Sequence, residues 1–194
     1  MRPEFLDHFE VAGRVAGALD RIGADYVIGG SLAAAFAGEP RSTIDVDLVA
    51  ALEPPHVTPL LAALSGEFYI PEAALRHAVE TRANTNLIHQ ASQIKVDIFV
   101  AGGTPLDLQQ LTRRRPVEPR PGLVLYVYTP EDILLQKLRW FRKGGQVSDR
   151  QWRDVIGIIR TQAERLDRGY LVANAAVIEV TALLERALRE AGAA

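Results

Sequence analysis

Three aspartates occupy positions where strands would carry them on one side. In Ile44-Asp45-Val46-Asp47-Leu48 apolar and acidic residues alternate, and a strand puts residues i and i+2 on the same face. Asp45 and Asp47 are therefore expected to project together, with Ile44, Val46 and Leu48 toward the core. Two carboxylates at that spacing disfavour joint ionisation, so a cation must compensate. Oxygen-only ligands suit Mg²⁺ (or Mn²⁺), bound through one or two carboxylates, phosphate oxygens and water. The stretch Ile94 to Val100 alternates as well: Ile94, Val96, Ile98 and Val100 take one face, and Lys95, Asp97 and Phe99 the other. An Asp among β-branched strand residues runs against propensity. If partly buried it must be paired, and a metal held by Asp45 and Asp47 would serve.

A glycine turn precedes these acids. Gly29-Gly30-Ser31 separates an apolar stretch from an Ala-rich one. Glycine lets backbone approach a ligand closely, and the free N–H groups of a helix N-terminus bind phosphate. Ser31 can cap that helix or bond a phosphate; the plain alternative is an ordinary turn. Lys137 is a further candidate. At about 100° per residue it falls within the apolar arc of Ile133, Leu134, Leu138 and Phe141, while Arg139 and Lys143 point the other way. It either snorkels to water at the edge of the arc or reaches a triphosphate. Arg41 could contact the same phosphates or be a loop charge. Asp154, off the apolar stripe Trp152-Val155-Ile156-Ile159, is read as a helix-surface acid, and Trp140 and Trp152 as core.

The elements that must position these residues follow from periodicity and punctuation. A helix is expected over 4–22, then a strand over 24–28, the Gly-Gly-Ser turn and a helix over 32–37. A strand over 42–50, helices over 57–64 and 72–80, and paired strands over 84–89 and 94–100 come next. A helix over 106–111 and a strand over 123–128 complete an α/β unit, residues 1–128. Thr129-Pro130-Glu131-Asp132 then opens a helix with a Thr cap, Pro at the first position and acids in the first turn. Helices near 129–142, 148–159, 170–175 and 177–189 make residues 129–194 an all-helical unit. The expected fold is α/β (α+β), a small mixed sheet flanked by helices and followed by a helical bundle.

Composition limits the function classes. The 194 residues include 48% hydrophobic and 24% charged side chains, an ordinary globular balance. There is no cysteine, which excludes zinc ribbons and thiol chemistry. The four histidines show no ligand spacing, and no Gly-x₄-Gly-Lys-Ser/Thr loop is present. The start has early acids and no apolar run, and no window is apolar enough for a membrane span, so a soluble cytoplasmic protein is expected. Charge is uneven: residues 1–100 hold 7 basic and 13 acidic residues, net −6, and residues 101–194 hold 15 and 11, net +4. The basic excess lies between Arg113 and Arg153. It reads as a solvated face or as a surface for a polyanion.

Taken together, the strand, Gly30-Ser31, a spacer of thirteen residues, Arg41-Ser42-Thr43-Ile44-Asp45-Val46-Asp47 and the later Asp97 resemble the nucleotidyltransferase superfamily related to DNA polymerase beta. Gly29 to Ala33, the Asp45/Asp47 strand and the helix opened by Thr129 to Lys137 look most like the small bacterial nucleotidyltransferases of abortive-infection and toxin–antitoxin systems. The resemblance spans residues 24–160. It implies that Asp45 and Asp47 hold Mg²⁺ on an NTP, ATP among them, and that Asp97 completes the metal site and helps deprotonate an acceptor hydroxyl. It implies that Gly29, Gly30 and Ser31 cradle phosphates, with Arg41 and Lys137 meeting the remaining charge. Attack on the α-phosphorus would then release pyrophosphate. The acceptor expected here is RNA, the 3′ end of a tRNA, with a protein or an antibiotic as alternatives and a cognate toxin or antitoxin as partner. The competing readings are a catalytically silent binding or antitoxin module and an RNA-binding helical protein.

Overall fold

The first helix, α1 (His8–Arg21), shows how locally this chain specifies its elements. Asp7 stands at the N-cap with extended backbone and accepts from the Phe9 and Glu10 amides, while Glu10 returns the bond to the Asp7 amide at 2.9 Å. This capping box satisfies amides that no helical carbonyl can reach. It starts α1 at His8, and residues 4–6 of the expected 4–22 helix lie outside the described residues. The computed structural model describes residues 7–38, 43–102 and 104–193. Arg41 and Ser42, with the start of the expected 42–50 strand, lie outside them.

The remaining elements follow in chain order. They are β1 (Tyr26–Ile28), α2 (Gly30–Ala37), β2 (Asp45–Ala50), α3 (Pro54–Leu64), β3 (Phe68–Tyr69), α4 (Glu72–Thr81), β4 (Asn84–His89) and β5 (Lys95–Val100). Then come α5 (Pro105–Arg113), β6 (Arg115–Arg120), β7 (Leu123–Val127), α6 (Pro130–Lys143), α7 (Asp149–Gln162), a 3₁₀ turn over Ala163–Arg165, α8 (Arg168–Val177) and α9 (Thr181–Ala191). The chain divides into two compact units: Met1–Gly29 with Thr43–Val127, and Gly30–Ser42 with Tyr128–Ala194.

Among the described residues, all strands belong to the first unit, in one mixed sheet of order β3-β4-β5-β2-β1-β7-β6. Strands β2 and β5 run parallel at its centre, and β1 is parallel to β7; the other neighbours are antiparallel. Along β2 and β5 every second residue is buried: Val46, Leu48, Ala50, Val96 and Ile98 are 0% exposed and Val100 7%. They form the core of this unit with Val11, Val15 and Leu19 of α1, Leu60 of α3 and Leu75 of α4. Each such Val, Leu or Ile side chain stabilises the fold by roughly 1.5–3 kcal/mol. Ile44 departs from the expected pattern. It precedes the first paired residue of β2, so alternation does not bind it to the core, and it is 81% exposed.

Strand β6 was not anticipated, because Arg115-Pro-Val-Glu-Pro-Arg120 lacks the apolar run of a buried strand. It forms an edge, and there a proline costs no interior ladder bond. Here Pro116 stands opposite Tyr126.

In the second unit α2 packs on α6 and α7, α6 also on α8, and α7 and α8 on α9. The fold therefore counts α2 with the C-terminal helices, although it lies early in the chain. Its Leu32, Ala33, Ala34 and Ala37 are buried, and small side chains let its neighbours approach. Gln162 closes its C-terminal end, donating from Nε2 to the Ala37 carbonyl at 2.6 Å. The expected 177–189 helix starts later, since Glu179 adopts φ +56° between α8 and α9. No helix among the described residues is long and apolar enough to cross a membrane.

Candidate active site

The acids come together through strand register. Parallel pairing sets Asp47 opposite Asp97 and Asp45 opposite Lys95. Paired residues in neighbouring strands point the same way, so Asp45, Asp47, Lys95 and Asp97 share the face opposite to Val46, Leu48, Val96 and Ile98. All four are half-buried while their strand neighbours are buried. Adjacent strands lie about 4.8 Å apart, and residues two apart along a strand about 6.6 Å. Three carboxylates thus crowd one small patch of sheet.

Lys95 is the residue that the sequence reading placed on this face without giving it a role. Its Nζ lies 2.7 Å from Asp97 Oδ2. That hydrogen bond holds the Lys95 ammonium above its ordinary pKa, against the opposing effect of burial; the charges of Asp97, Asp45 and Asp47 push the same way. Asp45 accepts from the Thr43 hydroxyl at 3.1 Å. On the other side of β5, Asn86 of β4 stands opposite Asp97 and is exposed. The period-two pattern held the signal for Lys95, and Thr43 belongs to the motif that ends in Asp45 and Asp47; Asn86 carried none.

Among the described residues no three acidic or histidine side chains are placed to ligate one cation together. The donor set still fits a hard divalent ion: its side-chain ligands would be carboxylate oxygens, and an ammonium stands in as positive charge.

The glycine turn is tied to the same strand. The Gly29 amide donates to the Asp47 carbonyl at 2.9 Å. Gly30 then begins α2 with φ +55°, a left-handed backbone that favours glycine. Ser31 follows, 8% exposed. Arg41 lies outside the described residues.

Lys137 neither snorkels nor stands open. Its Nζ meets Asp154 Oδ2 at 2.7 Å, with the two side chains 9% and 8% exposed. Asp154 is thus a buried partner rather than a surface acid, because α6 and α7 pack with these positions facing each other. A second buried carboxylate, Asp132, accepts from Thr129 Oγ1 at 2.8 Å and from the Tyr170 hydroxyl at 2.6 Å. It anchors the first turn of α6 to α8. Trp152 packs on Phe141 with ring centroids 5.0 Å apart and donates to Glu190. Trp140 is not core: it is 44% exposed, with Lys143 Nζ 5.0 Å from its ring centroid. Among the histidines, His56 bonds the Glu53 amide and buried His89 bonds Ser92, as structural residues do.

Comparison with solved structures supports the fold. The antigenic nucleotidyltransferase-like protein from Paracoccidioides brasiliensis superposes with a TM-score of 0.60 at 21% identity, covering 93% of this chain and 91% of that one. ANT(2″)-Ia in complex with adenylyl-2″-tobramycin gives 0.52 at 11% identity, with coverage of 88% and 96%. The lincomycin-bound lincosamide antibiotic adenylyltransferase LnuA gives 0.51 at 10%, with coverage of 80% and 98%. No curated protein sequence matches. The family described as "Nucleotidyl transferase AbiEii toxin, Type IV TA system" matches residues 27–177, from within β1 to the end of α8. That span holds every acid of the sheet face, the glycine turn and the Lys137–Asp154 pair, and the chain accordingly belongs to the AbiEii nucleotidyltransferase family of type IV toxin–antitoxin systems.

Proposed function

We propose that this nucleotidyltransferase moves a nucleoside monophosphate from an NTP to an acceptor hydroxyl in a divalent-metal-dependent reaction, as the toxin of a toxin–antitoxin pair. The observation that carries this reading is the register that puts Asp45, Asp47 and Asp97 on one face. In it, Asp45 and Asp47 hold Mg²⁺ or Mn²⁺, with Asp97 as third ligand. The bound ion would neutralise triphosphate charge where it develops. Asp97 lies on the strand beside the pair and is the group to accept the acceptor's proton. The nucleotide-binding residues are Gly29, Gly30, Ser31, Arg41 and Lys137. Without side chains, the two glycines let phosphate approach the start of α2 closely, and Lys137 would add positive charge by exchanging its Asp154 partner for phosphate.

For the acceptor we favour RNA, a tRNA 3′ end, on the basic residues that begin at Arg113. The antibiotic-bound complexes of two structural neighbours make a small-molecule hydroxyl the second reading. A cognate antitoxin is the partner that the family implies. The test is incubation of the protein with each NTP and a panel of tRNA, protein and aminoglycoside or lincosamide acceptors, read by intact mass. A mass gain of one nucleotide, abolished by EDTA, is the expected result. Transfer that persists in excess EDTA would overturn the metal assignment.

A further inference from the structure

Lys95 behaves unlike an ordinary surface lysine. Its side chain is 44% exposed, so water is within reach. Instead of extending into it, the chain folds along β5 onto Asp97, two residues away, whose own side chain is only 15% exposed. A long flexible side chain gives up rotamer freedom to do so, and an exposed ion pair by itself returns little. What makes the arrangement favourable is the neighbourhood. Asp45 lies opposite Lys95, and Asp47 opposite Asp97. Three negative charges share the patch, and this ammonium lies within electrostatic reach of all three.

We propose that Lys95 is the resident counter-ion of the acid face, holding Asp97 in place of a divalent cation until metal binding expels it. The inference rests on Asp45, Asp47 and Asp97 being metal ligands. Its consequence is a threshold. A cation arriving alone must break the Lys95–Asp97 bond and then share the patch with a like charge. A cation arriving with a triphosphate brings phosphate oxygens that can take over the ammonium. Lys95 thereby couples occupancy of the metal site to the presence of nucleotide. It is a positioning residue, acting through Asp97.

The test is binding of Mn²⁺ to the full chain without nucleotide, read by electron paramagnetic resonance, together with melting in EDTA. Lys95→Met is expected to bind Mn²⁺ about five-fold or more tightly than wild type, the scale set by one unit charge a few ångströms away near water. It should also melt lower in EDTA, because three carboxylates lose their counter-ion. Lys95→Arg, which keeps the charge, should return both values toward wild type. Equal or weaker Mn²⁺ binding by Lys95→Met overturns the inference while leaving the metal assignment standing. If neither protein binds Mn²⁺, or if Asp45→Asn binds it as well as wild type, the metal assignment fails and this inference with it. Should Lys95→Met not fold, Lys95→Gln serves in the same comparison.

Discussion

Charge at single residues decides most of what this site can do. Asp45→Asn or Asp47→Asn removes a metal ligand and is expected to abolish nucleotide transfer. The same change relieves like-charge repulsion on the sheet face, so melting in EDTA should stay level or rise. A large loss of stability in either variant would mean that these acids are structural. The Lys137–Asp154 pair is of the opposite kind. Both side chains are under one-tenth exposed, and removing one partner leaves a buried charge, at a cost of about 3–5 kcal/mol. Lys137→Met should therefore destabilise strongly, and Lys137→Met with Asp154→Leu should recover most of the loss in urea unfolding. The double variant also separates two roles. If it is stable and still fails to bind NTP, Lys137 contacts nucleotide; if binding returns, the pair only holds α6 to α7. Tyr26 supplies a pH prediction. Burial, and next the Asp20 carboxylate, push its phenol up to about 12. A group whose folded pKa is raised contributes stability that is complete below its unfolded pKa of about 10 and lost as pH climbs to about 12. The loss is roughly 2–3 kcal/mol, and Tyr26→Phe should remove it from the alkaline melting profile.

At the scale of elements, the interlocking of α2 with α7 is tight enough to predict from one glycine. A Cβ at Gly38 would lie 3.0 Å from the Ile158 amide nitrogen and 3.1 Å from its Cγ1. Backbone cannot yield as a flexible side chain does, so Gly38→Ala is expected to cost about 1–3 kcal/mol. A neutral effect in denaturant unfolding would show that α2 can shift on α7. The start of α6 rests on Thr129, which accepts from the Asp132 amide and donates to its carboxylate. Thr129→Ala should cost at least the 0.5–2 kcal/mol of a lost N-cap. Thr129→Ser should keep both bonds. At the sheet edge, Pro116 and Pro119 in β6 leave few amides for another strand to pair with, a natural guard against edge-to-edge association.

Across the whole molecule, the basic excess of the second half governs how a polyanionic acceptor would bind. Part of it is already engaged: Arg142 bonds the Glu179 carboxylate and the Ile178 and Glu179 carbonyls, and Arg114 pairs with Asp25 at 2.6 Å. Arg139, Lys143 and Arg153 are proposed here as phosphate contacts for such an acceptor. For three contacts on single-stranded RNA, log affinity should fall against log salt with a slope of about −2. A flat salt dependence would assign these residues to a solvated face and direct the search to other acceptors. The candidate acids, the glycine turn and most elements were legible in the sequence because their causes are local. Alternation places Asp45, Asp47 and Asp97 on strand faces, Thr129-Pro130 opens a helix, and apolar spacing marks α1 and α6. Other features were legible only after folding, because their causes are partners distant in sequence. Pairing register, not alternation, set Asp97 beside Asp47 and Lys95 beside Asp45. Helix packing turned Asp154 from a surface acid into the buried partner of Lys137, seventeen residues away. The neighbour β7 made a strand of the proline-rich β6. Only tertiary contact assigned α2 to the C-terminal helices, since a short Ala-rich helix takes its place from the surfaces that its small side chains allow to approach.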